Sequence, residues 1–445
     1  MAFRLYLYTL LPIVGISITA PIVSATESAD AAALEQQIET LRVETDRKIQ
    51  ALQQQLNQVD TSSTSYSNAF NPQLSVILDG AFVAYSNDPE DYHMPGFTLG
   101  GEAGLADEGF HIGHTEITAS ANVDGVFYGQ TTIALHSEDG DTEVEIEEAF
   151  VDTLALPGGI SARAGRFFPS IGYINQQHNH AWDFADAPLI YRGLWGDKYI
   201  DDGLRVSVLL PTEIFVEIGS EALSGGGFPA GGDADSGVGG TVTYAHFGGD
   251  FGASHSWSAG VSYFTADVHN RSGEDHDHGG GGSTETPEFS GDSDTLGIFG
   301  VYKWAPQGNY KYRSAKLQFE YFQRDEKGVI AMAGSDPLES TAYTGDQSGY
   351  YIQGVYQFMP QWTTALRYDA VHSANDGSDQ SVFSETGLDD EGASPRRWSA
   401  MLAWAPSEFS RIRLQYNRDK SSGVSDNQWL LQYTMSLGAH GAHSF

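Results

Sequence analysis

The feature that most constrains this chain is a period of two, repeated in segment after segment and joined by links that alternate short and long. In its last stretch, Trp429, Leu431, Tyr433, Met435 and Leu437 share one side, while Leu430, Gln432, Thr434, Ser436 and Gly438 take the other. Such alternation belongs to an extended strand with one apolar face. The same pattern recurs where Leu204, Val206 and Val208 alternate with Arg205 and Ser207. It recurs again where Ile412, Leu414 and Tyr416 alternate with Arg411, Arg413 and Gln415. An apolar strand face needs a cover, either a second sheet in a sandwich or lipid around a barrel.

The links decide between those covers. Short ones fall at residues 122–125, 155–159, 210–213, 305–310, 359–362 and 405–409, and a slightly longer one at 248–255. Pro157, Pro211, Pro306, Pro360 and Pro406 sit in them, and Pro fixes φ and removes a ladder donor, as a tight turn needs. Long polar links fall at 86–109, 169–202, 223–237, 267–293, 325–349 and 373–397, with lesser ones at 137–142 and 419–426. Short turns on one rim and long loops on the other are the asymmetry of a transmembrane barrel. The expected fold class is therefore all-β, a transmembrane antiparallel β-barrel of about sixteen strands over residues 70–445. The last strand should close the barrel against the first, near residues 74–85, with its ladder running close to Phe445.

The residues before the barrel read differently. Arg4 precedes an apolar run over 5–23 and a small-residue site at Val23-Ser24-Ala25, so residues 1–25 read as a secretory signal peptide. No later apolar run is long enough to cross a bilayer as a helix, and mean hydropathy is −0.30. Within 29–59, Leu34, Ile38, Leu41, Ile49, Leu52, Leu56 and Val59 recur at steps of about 3.5 residues among Gln, Glu, Arg and Lys. This predicts a short N-terminal α-helical coiled coil in the periplasm, whose exposed seam implies self-association as a trimer or a dimer. Residues 60–69, rich in Ser and Thr, read as a linker.

Charge narrows the partners. The 59 acids against 23 bases leave a formal net charge of −36, which excludes a nucleic-acid-binding face. Around a channel, the same excess would favour cations. The absence of Cys excludes disulfides and thiolate metal sites. Neither Gly-x-Ser-x-Gly nor His-Glu-x-x-His occurs, and the Gly-rich stretches lack the Lys-Ser/Thr of a phosphate loop. The chain is not read as an enzyme; a barrel hydrolase using a surface Ser/His pair is the one enzymatic alternative.

In strand count and loop asymmetry the chain resembles the trimeric general and substrate-selective porins. It more closely resembles a family of Gram-negative outer-membrane proteins described as zinc-regulated receptors or porins. The matching stretches include Arg166-Phe-Phe-Pro-Ser-Ile-Gly-Tyr, His178-Asn-His-Ala-Trp-Asp-Phe, Asp186-Ala-Pro-Leu-Ile-Tyr-Arg192 and Met435-Ser-Leu-Gly-Ala-His-Gly-Ala-His443. The resemblance implies an outer-membrane homotrimer in lipid that passes small hydrophilic or cationic solutes, zinc among them. Some relatives of this kind are called TonB-dependent, but such receptors are barrels of about 22 strands with a plug domain. An energy-coupled metal receptor and a tether between outer membrane and cell wall are the alternatives to a porin.

Three sets of residues are candidates for the function. The link at 169–202 is the third on the long-loop side, where porins fold a loop into the lumen, and it carries His178, His180, Asp183, Asp186 and Arg192. His178 and His180, two apart, could share a metal with Asp183. The second set is His269, Asp275, His276, Asp277 and His278, followed by four Gly, a weak capture site for zinc or another divalent ion. No cofactor is otherwise required. His440 and His443 would face opposite sides of a strand, which argues against a shared metal. The third set is the lumen wall, where Arg163, Arg205, Lys316, Arg367, Arg411 and Arg413 contrast with Glu116, Glu143, Glu145, Glu147 and Glu320. Most acids come from early strands and most bases from late ones, which would set a field across the water column.

Overall fold

A computed structural model describes residues 72–100, 102–138, 141–231, 237–273, 286–335, 337–390 and 392–438. The signal peptide, the coiled coil, the linker, residues 275–278 and Phe445 lie outside the described residues.

The described chain is one closed antiparallel sheet. It runs from β1 (Gln73–Ala84) through β2 (Gly109–Ile112), β3 (Thr115–Asn122), β4 (Phe127–Glu138), β5 (Asp141–Thr153) and β6 (Ile160–Phe167). It continues with β7 (Asp201–Leu209), β8 (Phe215–Leu223), β9 (Gly240–Phe251), β10 (His255–Arg271), β11 (Thr286–Trp304) and β12 (Ser314–Ala333). The last five are β13 (Glu339–Met359), β14 (Trp362–Gly377), β15 (Arg396–Ser407), β16 (Ser410–Asp419) and β17 (Asp426–Gly438). β2 and β3 both pair with β1, so the 17 strands form 17 − 1 = 16 staves. The first and last strands close the wall, in register from Ser75↔Gly438 to Ala84↔Trp429. That closure is the pairing expected from the sequence, and it leaves no free edge.

The outer surface explains the alternation. Leu366, Leu402, Leu414 and Leu431 point outward, while their strand neighbours Arg367, Arg413 and Gln432 are buried inside. Outward-facing rings flank this apolar band on both sides. Tyr350, Tyr368 and Trp398 form a contact row toward the long loops, and Trp362 and Trp404 meet near the short turns. An apolar band between two aromatic girdles is the surface a barrel presents to a bilayer.

On the β2–β5 side, two bulges depart from the simple alternation. Along β2 and β3, Ile112 pairs with Gly80 and Glu116 with Ile77, so four residue steps match three on β1. Phe110 and Ile112 therefore face out before the bulge and Ile117 after it. In β5, Thr132 pairs with Glu148 and Ile133 with Ile146, leaving Glu147 without a partner. A bulge lets two consecutive side chains face one way, and both Glu147 and Glu148 are buried inside the barrel.

Two links are shorter than expected. Much of 325–349 is strand, because β12 and β13 extend to Ala333 and from Glu339. β10 likewise continues to Arg271 and β11 begins at Thr286. These strands exceed the roughly 9–11 residues needed to span a bilayer, so the cross-strand ladder continues past the apolar band.

The long link after β6 turns inward and packs into the core. Ile171, Ile174, Trp182, Leu189, Ile190, Leu194 and Trp195 are buried in one cluster with Phe167, Val242, Phe264, Phe299, Phe322 and Tyr351 of the wall. The inner face of β9–β13 is therefore aromatic, not polar throughout, because the loop rather than water covers it. Each such side chain contributes about 1.5–3 kcal/mol when fully buried, more than the 0.5–1.5 of a typical net hydrogen bond. Apolar packing thus decides that the loop sits inside. A short helix, α1 (Leu189–Trp195), lies at its centre, with Pro188 as N-cap and Gly196 at φ 62 ending it in the left-handed region.

Candidate functional site

The loop is strung between two walls of opposite charge. On the β3–β5 side, Glu116 is 1% exposed and holds both loop imidazoles. Its Oε2 lies 3.0 Å from His178 Nδ1 and its Oε1 2.9 Å from His180 Nδ1. Glu147 Oε2 lies 3.1 Å from the same His178 nitrogen, and Glu148 Oε2 lies 3.0 Å from His178 Nε2. The two imidazole rings stack with centroids 5.5 Å apart. Lys198 Nζ approaches Glu147 at 3.8 Å and sits over the Phe168 ring.

On β14–β16, guanidinium groups grip the loop. Arg411 Nη2 donates to His180 O at 2.6 Å, and Arg413 Nη1 donates to Trp182 O at 2.8 Å. Asp186 receives Arg367 at 2.7 Å and Arg397 at 3.1 Å, and accepts from Gln415 and Asn417. The Asp186 carboxyl is pushed up by burial but held well below the usual carboxylate range by Arg397 and Arg367. Arg367, Arg411 and Arg413 lie inside the barrel and clamp the loop.

Asp183 corrects the expected metal set. Its Oδ2 pairs with Lys316 Nζ at 2.5 Å and accepts from Gln353, so it points to the far wall from His178 and His180. The buried Trp182 and its clamped carbonyl carry the chain across the lumen at that point, which separates Asp183 from the imidazoles. Glu116 takes its place. Among the described residues, Glu116, His178 and His180 are the group that could hold a metal ion, their ligand atoms lying within 4.8 Å of one another.

The remaining candidates are spread out. Arg163 pairs bidentately with Asp152 at 2.7 and 2.8 Å and covers the Phe150 ring, near a short turn and away from the loop. Arg192, on α1, is buried against Asp197 at 3.6 Å. Glu145 is half-buried on β5. His269 stands at the end of β10, 3.9 Å from Asp267.

Beside the loop, a cavity of about 410 Å³ runs along β1–β3 and β17. Asp79, Glu90, Glu102, Asp107, Asp186 and Asp197 line it, against Arg192 as its one Lys or Arg. Glu102 faces His114 at 3.0 Å and His136 at 4.0 Å. Burial would raise the Glu102 carboxyl, but the His114 imidazole outweighs it and brings it down to about 2. Burial outweighs Arg192 at Asp197 and pushes that carboxyl up to about 6. Glu102, His136, Glu148 and Asp197 also join the site, and no spacing motif marks them in the sequence. One signal was present: the doublet Glu147-Glu148 interrupts the alternation of Glu143, Glu145 and Glu147.

No family model matches the sequence. An uncharacterised protein of Aquifex aeolicus (strain VF5) is 30% identical over 411 residues, covering 85% of this chain and 80% of that one. The chain belongs to the family of that protein. Among solved structures, the barrel is similar to a loop L8 deletion mutant of OmpT, an outer membrane protein of Vibrio cholerae. The TM-score is 0.50 at 12% identity, over 83% of this chain and all (100%) of the other. In-vitro folded OmpT of the same organism, in its trimer form, matches at 0.50 and 11% identity with the same coverage. The chain shares the fold of outer-membrane β-barrels, with a wall of sixteen staves.

Proposed function

We propose that the protein is an outer-membrane channel for passive diffusion of small hydrophilic solutes, with a preference for cations. The observation that carries this is the cavity beside the loop, where Asp79, Glu90, Glu102, Asp107 and Asp197 face Arg192, Asp186 being paired with Arg367 and Arg397. A carboxylate about 4 Å from a passing cation lowers its energy by about 1 kcal/mol even at the dielectric of water, and more beside a protein wall. A few such groups outweigh a single Arg. The sixteen-stave wall also speaks against an energy-coupled receptor, whose barrel has about 22 strands. The resemblance read from the sequence adds divalent metals, zinc first, to the candidate cargo. The trimer form of the similar OmpT supports a homotrimer.

Reconstitution in planar bilayers under a KCl gradient tests this reading. Stepwise currents with a reversal potential on the cation side are expected. A folded protein that passes no current, or passes chloride in preference, overturns it.

A further inference from the structure

We propose that Glu116, His178 and His180 bind one divalent metal ion of the zinc class, and that the ion fastens the inward loop to the β3–β5 wall. Binding stands independently of the channel reading; the effect on current rests on it.

The donor chemistry comes first. Two imidazole nitrogens and a carboxylate form a set that zinc and neighbouring divalent ions take, and thiolates are absent from the chain. Geometry follows. Metal–ligand bonds of about 2.0–2.1 Å in a tetrahedron place ligand atoms roughly 3.3 Å apart. Glu116 already stands 2.9 and 3.0 Å from the two Nδ1 atoms, and all three groups offer atoms within 4.8 Å. An ion therefore enters by small shifts and needs no refolding of the loop. Glu147 Oε2, 3.1 Å from His178 Nδ1, stands where a fourth ligand would be.

A supporting partner is also in place. Histidines that bind metals usually donate their other ring N–H to a carboxylate, which fixes the ring and its tautomer. His178 turns Nδ1 to Glu116 and Nε2 to Glu148, 3.0 Å away. Glu147 reaches the metal-facing nitrogen and Glu148 the other one because the β5 bulge turns both carboxylates inward. The His178 side chain retains 19% exposure, so the site opens to the lumen while Glu116 is closed off behind it. The consequence is mechanical. Arg411 and Arg413 hold the backbone carbonyls of His180 and Trp182, and an ion at Glu116 would pin the imidazoles of the same stretch to the β3–β5 wall.

The test uses the full chain refolded in detergent micelles and zinc titrated against a chelating dye. One ion per chain is expected, and X-ray absorption should report nitrogen and oxygen ligands with imidazole scattering. His178→Gln and His180→Gln should each weaken binding at least tenfold, and the double variant should lose it. Glu148→Gln should weaken it about 10–100-fold and serves if the double variant does not fold. Removal of residues 274–278 should leave this ion in place. Equal binding by the folded double variant, or by none of the folded proteins, overturns the site; the imidazoles then act as a protonated clamp only. In bilayers, zinc should change the single-channel conductance of the parent and not of His178→Gln. Binding without that change overturns the fastening role, and absence of any current counts against the channel reading alone.

Discussion

Single residues carry two consequences. Asp186 is buried among guanidinium groups, with Arg367 at 2.7 Å. Breaking a buried pair by removing one partner costs about 3–5 kcal/mol, because the other charge is left uncompensated. Arg367→Ala should therefore lower the urea midpoint of the folded barrel by a corresponding amount, whereas a surface change such as Glu408→Gln should not. Asp197 carries the second consequence. Burial places its carboxyl at about 6, so it is charged above that pH and neutral below. The cation preference of the current should fall as pH drops through about 6, and Asp197→Asn should flatten that step. Reversal potentials measured between pH 5 and pH 7.5 would show it; an unchanged profile in the variant would remove Asp197 from the pathway.

At the scale of elements, the inward loop and the closing strand respond differently to change. Gly172 holds a φ of 61, and a Cβ there would meet the carboxylate of Glu320 and the hydroxyl of Tyr191. Glu320 accepts from the Tyr173 backbone N–H at 2.7 Å and from Tyr191 at 2.8 Å, so it is the bracket on which the loop turns inward. Gly172→Ala should loosen the loop and raise single-channel conductance without loss of the barrel. β17 instead meets lipid. Leu431 is 46% exposed on the outer face, and Leu431→Arg should destabilise the barrel in vesicles by about 2–4 kcal/mol near the bilayer midplane. Arg at inward-facing Gln428 should not carry that lipid penalty.

At the scale of the whole molecule, the charge expectation holds in a changed form. Acids do gather on early strands and guanidinium groups on late ones, but the loop lies between them and bonds to both. The cavity beside the loop lies on the β1–β3 and β17 side, where carboxylates dominate its lining. A homotrimer of this barrel should therefore conduct in three equal steps, each cation-selective, in bilayer recordings. Most of the strands, the short turns and the closure of β17 on β1 are legible in the amino-acid pattern. Those follow from local rules, since lipid imposes a period of two and Pro stops a ladder wherever it falls. Where the loop goes and which charges meet depend on contacts between distant segments. Arg411 and His180 are 231 residues apart in sequence, and Asp183 parts from His178 because aromatic packing carries the chain across the lumen. Two bulges then chose which carboxylates face inward, through one-residue shifts in register that an alternating pattern can show only as an interruption.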